Sequence, residues 1–168
     1  RRVLFRSRNG ARHAGAYPEA TLVHEFSIFA TRATLQLWGD SDDCRMAATA
    51  IEARLMEMHD RINLFDSDSE LAGLNATAYE RPFTCSDELW RLLNAARDAY
   101  TRTDGAFDIS VGPLMRLWGF HKKQQTYPAG KDVGKALAAV GLNKIKFDDD
   151  LHTVQFTHPE SYLDFGGV

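Results

Sequence analysis

Two kinds of hydrophobic spacing follow one another in the first part of the chain. Between Glu25 and Gly39, apolar residues recur at every second position, which predicts one long strand or two strands with a break near Thr31. From Asp42 to Phe65, apolar residues instead recur every three or four positions, which predicts an amphipathic helix. Ser41 is well placed to cap the N-terminus of that helix.

The rest of the chain mixes helices with short strands. The predicted elements are a short helix over Glu70–Asn75, a helix that follows Ser86 and ends near residues 103–105, a helix over Asp132–Val140, a hairpin around the acidic turn at 148–150, and a strand at Tyr162–Asp164. The stretch from Gly105 to Phe120 is punctuated by glycine and has no helical period. This mixed order favours an α+β fold over a doubly wound parallel sheet.

Composition excludes several functions. The chain has 168 residues, is 44% hydrophobic and 26% charged, and has a formal net charge of -3, which argues against a broad nucleic-acid-binding surface. No apolar run approaches the length of a membrane span. Cys44 and Cys85 lie far apart and lack metal-ligand spacing, and no histidine, His121 included, has HExxH or i, i+4 spacing. We therefore expect no metal ligand among the histidines and no redox motif.

The two ends of the chain need separate interpretation. Residues 1–7 are typical of a translated sequencing-adapter end and are treated as non-native, the alternative being a native basic leader. Together with the non-periodic residues 8–20, they predict a disordered leader over 1–24, followed by a folded part over 25–168. The sequence stops at Val168, directly after a glycine pair, and we expect the natural protein to continue beyond it.

Three clusters could carry chemistry, and each also has a purely structural interpretation. The acidic and serine-rich run 66–70 could offer backbone N–H groups to an anion, or it could be a capped turn. The run Gly105–Asp108 could bring backbone and a carboxylate close to a planar ligand, or its aromatic residue Phe107 could belong to the core. Asp164, followed by two glycines, is typical of a ligand-binding loop, although short glycine motifs also recur by chance.

Four segments, in chain order, resemble the ApbE family across residues 25–168. Phe29-Ala-Thr31 lies where the family has a Met-Gly-Thr turn between strands. The segment Phe65–Asn75 resembles the family's aromatic-x-x-Asp-Ser-Glu-Leu-x-x-x-Asn segment. The segment Thr103–Phe120 is similar to the family's run T-x-G-A-F-D-x-T-V-G-P-L-x-x-x-W-G-F. Leu163–Val168 matches the opening of the family's motif Leu-Asp-x-Gly-Gly-Ile-Ala-Lys-Gly.

The resemblance implies an α+β fold related to the T-fold, with a mixed or antiparallel sheet and packed helices, of which this chain would be the incomplete N-terminal part. It implies an Mg²⁺-dependent FAD:protein FMN transferase, which transfers FMN from FAD to a Thr or Ser of a target flavoprotein and releases AMP. Two alternatives stay open: an Mg²⁺-dependent FAD pyrophosphatase, and a non-catalytic FAD-binding protein that assists flavoprotein maturation.

The resemblance also implies partners and a location. The expected partners are flavoprotein subunits of respiratory redox complexes, and no nucleic acid is expected. The expected location is the periplasm, either free or anchored to the inner membrane through a segment that would precede this chain. The cytoplasm is the alternative location.

Specific residues are assigned by the same resemblance. The residues expected to contact FAD are Phe29, Phe65, Ala106, Phe107, Asp108 and Asp164. Phe65 replaces a tyrosine that stacks on the isoalloxazine ring, a role that requires a flat face more than a hydroxyl. Phe29 takes the place of a turn methionine that touches the flavin. Gly167 would offer its backbone carbonyl to Mg²⁺, a hard cation that prefers oxygen. The catalytic residues and the remaining metal ligands are expected beyond Val168, so this chain alone is expected to be inactive.

Overall fold

Over the residues that the structure describes, the fold combines five helices with two small antiparallel sheets. A computed structural model describes residues 4–5, 19–122 and 127–166, and the chain divides into two compact units, Arg1–Asp60 and Arg61–Val168. The predicted α+β class is confirmed, since helices and antiparallel strands alternate irregularly along the chain. Within the described ranges, no helix has the length and apolar character needed to cross a membrane.

The first unit packs an antiparallel sheet against a long helix. Its strands are β1 (Leu4–Phe5), β2 (Leu22–Ile28) and β3 (Thr31–Leu37), in the order β1-β3-β2, and its helix is α1 (Ser41–Ile62). The strand and helix faces meet in a small apolar core because the alternating positions of the sheet and the helical stripe bury together. The buried members of that core are Phe26, Ile28, Leu35, Leu37, Cys44 and Ala48.

A two-residue turn separates β2 from β3, as the predicted break near Thr31 requires. Ile28 pairs with Thr31, and the turn residues Phe29 and Ala30 have φ angles of 51° and 56°. Positive φ at both central residues is the signature of the tight turns that suit the twist of a hairpin. Neither residue is glycine, so this turn carries backbone strain.

Two predictions about this unit are corrected. β2 begins at Leu22, inside the range 1–24 that was predicted as a disordered leader, because Leu22 pairs with Leu37 and continues the β2–β3 ladder. Residues Leu4 and Phe5, in the same range, pair antiparallel with β3. The cap of α1 is Asp40 rather than Ser41.

The Asp40 carboxylate satisfies the first backbone donors of α1. Its Oδ1 accepts from the N–H of Asp42 at 2.8 Å and from the N–H of Asp43 at 3.3 Å. Asp40 therefore caps the helix, a role that the sequence pattern assigned to Ser41. Ser41 is instead the first residue of the helix.

The second unit packs four helices around a short sheet. Its helices are α2 (Glu70–Thr77), α3 (Asp87–Arg102), α4 (Gly112–Leu117) and α5 (Gly130–Ala138), and its strands are β4 (Phe83–Thr84), β5 (Ile145–Asp148) and β6 (Thr153–Phe156). The sheet order is β4-β6-β5, and both pairings are antiparallel. The fully buried residues of its core include Leu71, Leu74, Leu89, Leu93, Val154 and Leu163.

Local sequence signals predicted several elements of this unit correctly. The hydroxyl of Ser86 accepts from the N–H of Leu89 and caps α3, which ends at Arg102 as expected. The predicted hairpin is β5–β6. Helix α4 was not predicted, although Pro113 stands at its start, where the fixed φ of proline favours a helix.

The prediction of a strand at Tyr162–Asp164 is wrong, and the actual conformation matters for function. These three residues are buried, yet they belong to no strand. The backbone groups of Leu163 pair instead with a side chain, and the N–H of Asp164 donates to the carbonyl of Ile109, and this arrangement positions the candidate site.

Candidate functional site

Asn75, near the C-terminus of α2, holds the backbone of Leu163 from both sides. Its Nδ2 donates to the carbonyl of Leu163 at 2.9 Å, and its Oδ1 accepts from the N–H of Leu163 at 2.8 Å. Leu163 is completely buried, so its two backbone groups have no access to water and need these partners. One amide side chain therefore pairs with Leu163 as a neighbouring strand would.

Asp164 follows at once and is the most buried acidic residue of the site. Its backbone N–H donates to the carbonyl of Ile109 at 2.8 Å, and its Oδ1 accepts from the N–H of Gly166 at 2.7 Å. A Cβ on Gly166 would lie 2.9 Å from that same oxygen, so glycine permits the close approach. The Asp164 side chain is only 5% exposed, and a carboxylate at that depth requires hydrogen-bond donors around it.

His121 supplies another polar contact to Asp164 and joins it to Phe65. The Nε2 of His121 lies 2.8 Å from the Oδ2 of Asp164. The rings of His121 and Phe65 meet at 90° with their centroids 5.8 Å apart. Phe65 is 75% exposed, and the perpendicular His121 ring can cover at most one face of the Phe65 ring. Phe65 can therefore still offer a flat apolar face to a planar ligand.

The segment that contains Ala106, Phe107 and Asp108 leads directly into Ile109. Ala106 is exposed, whereas the partly buried Phe107 packs against the core, and the assignment of both residues to FAD stays a prediction. The Oδ1 of Asp108 accepts from the N–H of Ser110 at 2.7 Å and caps the 3-10 turn Ile109–Val111. The backbone of this segment thus reaches Asp164 through the Ile109 carbonyl.

The acidic and serine-rich run 66–70 forms a capped turn, which is the second of the two interpretations that the sequence allowed, the first being an anion site. Ser69 is the N-cap of α2, and its hydroxyl accepts a backbone N–H of the first turn. Glu70 accepts from the N–H of Ser86 at 2.6 Å and from its hydroxyl at 2.7 Å, and it pairs with Arg61 at 2.9 Å. The hydrogen bond with Glu70 is the main reason that the pKa of Arg61 is raised above its usual value.

Phe29 and Gly167 are the two remaining residues that the resemblance assigns. Phe29 lies in the first unit, on the β2–β3 turn, is 42% exposed, and contacts the ring of His59 with centroids 5.1 Å apart. Gly167 lies outside the described residues, so its assignment to Mg²⁺ stays a prediction. The described residues contain no group of three His, Cys, Asp or Glu side chains that could hold a metal ion.

Burial raises the pKa of the Cys85 thiol to about 12, which argues against a nucleophilic thiolate there.

Three of the four segments that resemble one family therefore meet at Leu163 and Asp164. The sequence model of the ApbE family matches residues 29–168. The chain belongs to the ApbE family. Solved ApbE structures have the same fold: the Thermotoga maritima ApbE protein aligns with a TM-score of 0.80 at 24% identity, covering 88% of this chain and 48% of that one.

Further relatives include enzymes. The flavin transferase ApbE of Vibrio cholerae aligns with a TM-score of 0.71 at 26% identity, over 86% of this chain and 48% of that one. The FAD:protein FMN transferase of Haemophilus influenzae is 30% identical over an alignment of 138 positions, which covers 76% of this chain and 40% of that protein. A Vibrio cholerae protein of the same name is 27% identical over 75% of this chain and 38% of its own length. This chain thus spans about two fifths of the length of these curated relatives.

Sequence reasoning missed His121 as a site residue. It was set aside because no histidine has metal-ligand spacing, and that test does not detect a histidine that bonds a carboxylate. The one available signal was position, since His121 directly follows the Trp-Gly-Phe end of the third ApbE segment.

Proposed function

We propose that this chain supplies part of the flavin site of an FAD:protein FMN transferase. The observation that carries the proposal is the convergence on Leu163–Asp164. Asn75 of the second segment brackets Leu163, and Ile109 of the third segment receives the N–H of Asp164. The Asn75 side chain and the Leu163 backbone, 88 residues apart in the sequence, are thereby brought together beside an open aromatic ring.

The chemical character of this cluster suits FAD. The exposed Phe65 ring offers a face to the isoalloxazine system, and stacking on an aromatic ring contributes favourably for any flat heterocycle. The Asp164 carboxylate can only accept hydrogen bonds, so a ligand group that meets it must be a donor. FAD carries such donors in its ring imide N–H and its ribityl hydroxyls. Ala106 is exposed and small, so its backbone can approach a ligand closely.

The proposed reaction is a phosphoryl transfer. The hydroxyl oxygen of a Thr or Ser on the target flavoprotein attacks the phosphorus of the FMN half of FAD, and the proton of that hydroxyl is released to solvent. The pyrophosphate bond breaks and AMP leaves. The residues of this chain bind and orient the flavin half, because positioning supplies much of the rate in such transfers.

Mg²⁺ belongs to the proposal through the family resemblance alone. It would neutralise charge on the pyrophosphate when bound. The described residues present no ligand set for it, so no step is assigned to the metal. A periplasmic location and targets among respiratory flavoprotein subunits are likewise proposed on the resemblance.

The test uses the full-length gene product with FAD, Mg²⁺ and a flavoprotein subunit as acceptor. We expect AMP release that depends on the acceptor, together with flavin fluorescence that stays on the acceptor band in a denaturing gel. Release of AMP without an acceptor would identify a pyrophosphatase instead. Binding of FAD with no AMP release would identify a non-catalytic accessory protein.

A matched pair of variants ties the activity to this site. Asp164→Asn removes the buried carboxylate, and Asp149→Asn removes an exposed carboxylate that pairs with Arg97 at 2.7 Å. We expect weaker FAD binding from the first variant only. Equal affinities for FAD in both variants and the unmodified protein would contradict the assignment of Asp164.

A further inference from the structure

His121 occupies a central position among residues that the proposed function assigns to flavin. It bonds the Oδ2 of Asp164 at 2.8 Å and meets the Phe65 ring at a right angle. Its side chain is 18% exposed, and that of Asp164 is 5% exposed, so little water competes for this hydrogen bond. One histidine thus contacts both the acceptor and the stacking surface of the proposed site.

The bond from His121 determines which lone pairs of Asp164 remain for a ligand. The N–H of Gly166 engages Oδ1, and His121 engages Oδ2, so each oxygen has one further acceptor direction. The terminal torsion of an aspartate is broad when nothing restrains it. With both oxygens held, the carboxylate presents its free acceptor directions in one orientation, and the ligand group that it meets must be an N–H or O–H donor.

His121 also lies beside a buried ring, that of Tyr162. Its centroid lies 6.3 Å from that of Tyr162, and the guanidinium of Arg116 lies over the Tyr162 ring at 3.3 Å. Tyr162 packs so closely on Gly112 that an added Cβ there would lie 2.5 Å from its Cδ1. The core therefore limits where the His121 imidazole can be, and His121 passes that restraint on to Asp164.

We propose that His121 is a positioning residue of the flavin site, which orients the Asp164 carboxylate toward a donor group of the flavin half of FAD and supports the edge of the Phe65 stacking surface. This inference rests on the proposed function, and it adds a residue that the ApbE resemblance does not assign. His121 acts through Asp164 and Phe65 and takes no direct part in the transfer.

The experiment measures FAD affinity by flavin fluorescence in the full-length protein. His121→Phe keeps a ring but removes the donor, and His121→Gln keeps a donor without the ring. We expect the dissociation constant to rise about tenfold in His121→Phe, the effect of losing a hydrogen bond to a charged group, and to rise less in His121→Gln. The matched control is His152→Gln, because His152 also contacts an aromatic ring, that of Trp90, with centroids 5.0 Å apart. Its affinity for FAD should change less than twofold.

A double-mutant cycle separates positioning from a general structural role. If His121 acts through Asp164, His121→Phe should have little further effect on affinity when Asp164→Asn is already present. If the losses of FAD affinity in His121→Phe and Asp164→Asn simply add in the double variant, the proposal is overturned. An equal loss of affinity in His121→Gln and His121→Phe would also overturn it, and this comparison remains available if one of the other variants folds poorly. Failure of the unmodified protein to bind FAD would instead overturn the proposed function. Unchanged affinity in both His121 variants, with normal binding by the unmodified protein, would overturn this inference alone.

Discussion

Replacing Asn75 with alanine tests whether one side chain really substitutes for a strand partner. In the native structure, Asn75 makes two hydrogen bonds of 2.8 and 2.9 Å to the backbone of Leu163. Alanine at this position is compatible with helix α2, so helix propensity does not oppose the change. The cost should therefore come from the two backbone groups that lose their partner.

The magnitude follows from the burial of Leu163, which is completely inaccessible to solvent. A buried donor or acceptor left without a partner costs about 1–3 kcal/mol, so two such groups predict a loss of about 2–6 kcal/mol in the free energy of unfolding. Asn75→Asp keeps an acceptor for the Leu163 N–H but loses the donor to its carbonyl. Because a carboxylate oxygen would then face the buried Leu163 carbonyl oxygen with no donor between them, we expect its cost to be at least that of alanine.

The assay is urea unfolding of the full-length protein followed by circular dichroism. The control is Asn94→Ala, which removes an acceptor that meets Nη1 of Arg97 at 2.7 Å near the helix surface, and it should change the unfolding free energy by no more than about 0.5 kcal/mol. FAD affinity should also fall in Asn75→Ala, because Asp164 is adjacent to the released Leu163. A loss below about 1 kcal/mol would refute the reasoning, since it would mean that the Leu163 peptide groups find other partners.

Three further predictions concern ring stacking and backbone space. Phe65→Ala should weaken FAD binding by about 1–3 kcal/mol, as for aromatic stacking of bases, and an unchanged calorimetric titration would remove Phe65 as the stacking residue. Gly112→Ala should lower the free energy of unfolding by about 1–3 kcal/mol in thermal or urea unfolding, because the added Cβ would lie 2.7 Å from the carbonyl oxygen of Tyr162. Gly134→Ala is the control, since its Cβ would have nothing within 4 Å, and it should stabilise α5 slightly. Ala30→Gly should stabilise the β2–β3 turn by about 0.5–1 kcal/mol, since Ala30 has a φ of 56°, and a lower melting temperature would contradict this.

The sequence by itself determined those features that neighbouring residues decide. Helix α3 was predicted to follow Ser86 and to end near residues 103–105, because an apolar stripe and the residues that stop it are local signals. The β5–β6 hairpin followed from alternation on either side of an acidic turn. Membership of the ApbE family was predicted too, because four segments kept their order and their characteristic residues, and the family match over residues 29–168 confirmed it.

Tertiary structure alone decided how the candidate site is assembled. The apolar run at 162–164 predicted a strand, since a local pattern indicates burial but not which groups satisfy the buried backbone. Its partner is Asn75, 88 residues earlier in the chain. The sequence did not identify His121 as a site residue for the same reason. Its carboxylate partner, Asp164, lies 43 residues away, and only folding brings the two side chains to 2.8 Å. Periodicity reports which faces are apolar, whereas a site built from hydrogen bonds between distant segments exists only once the core has packed.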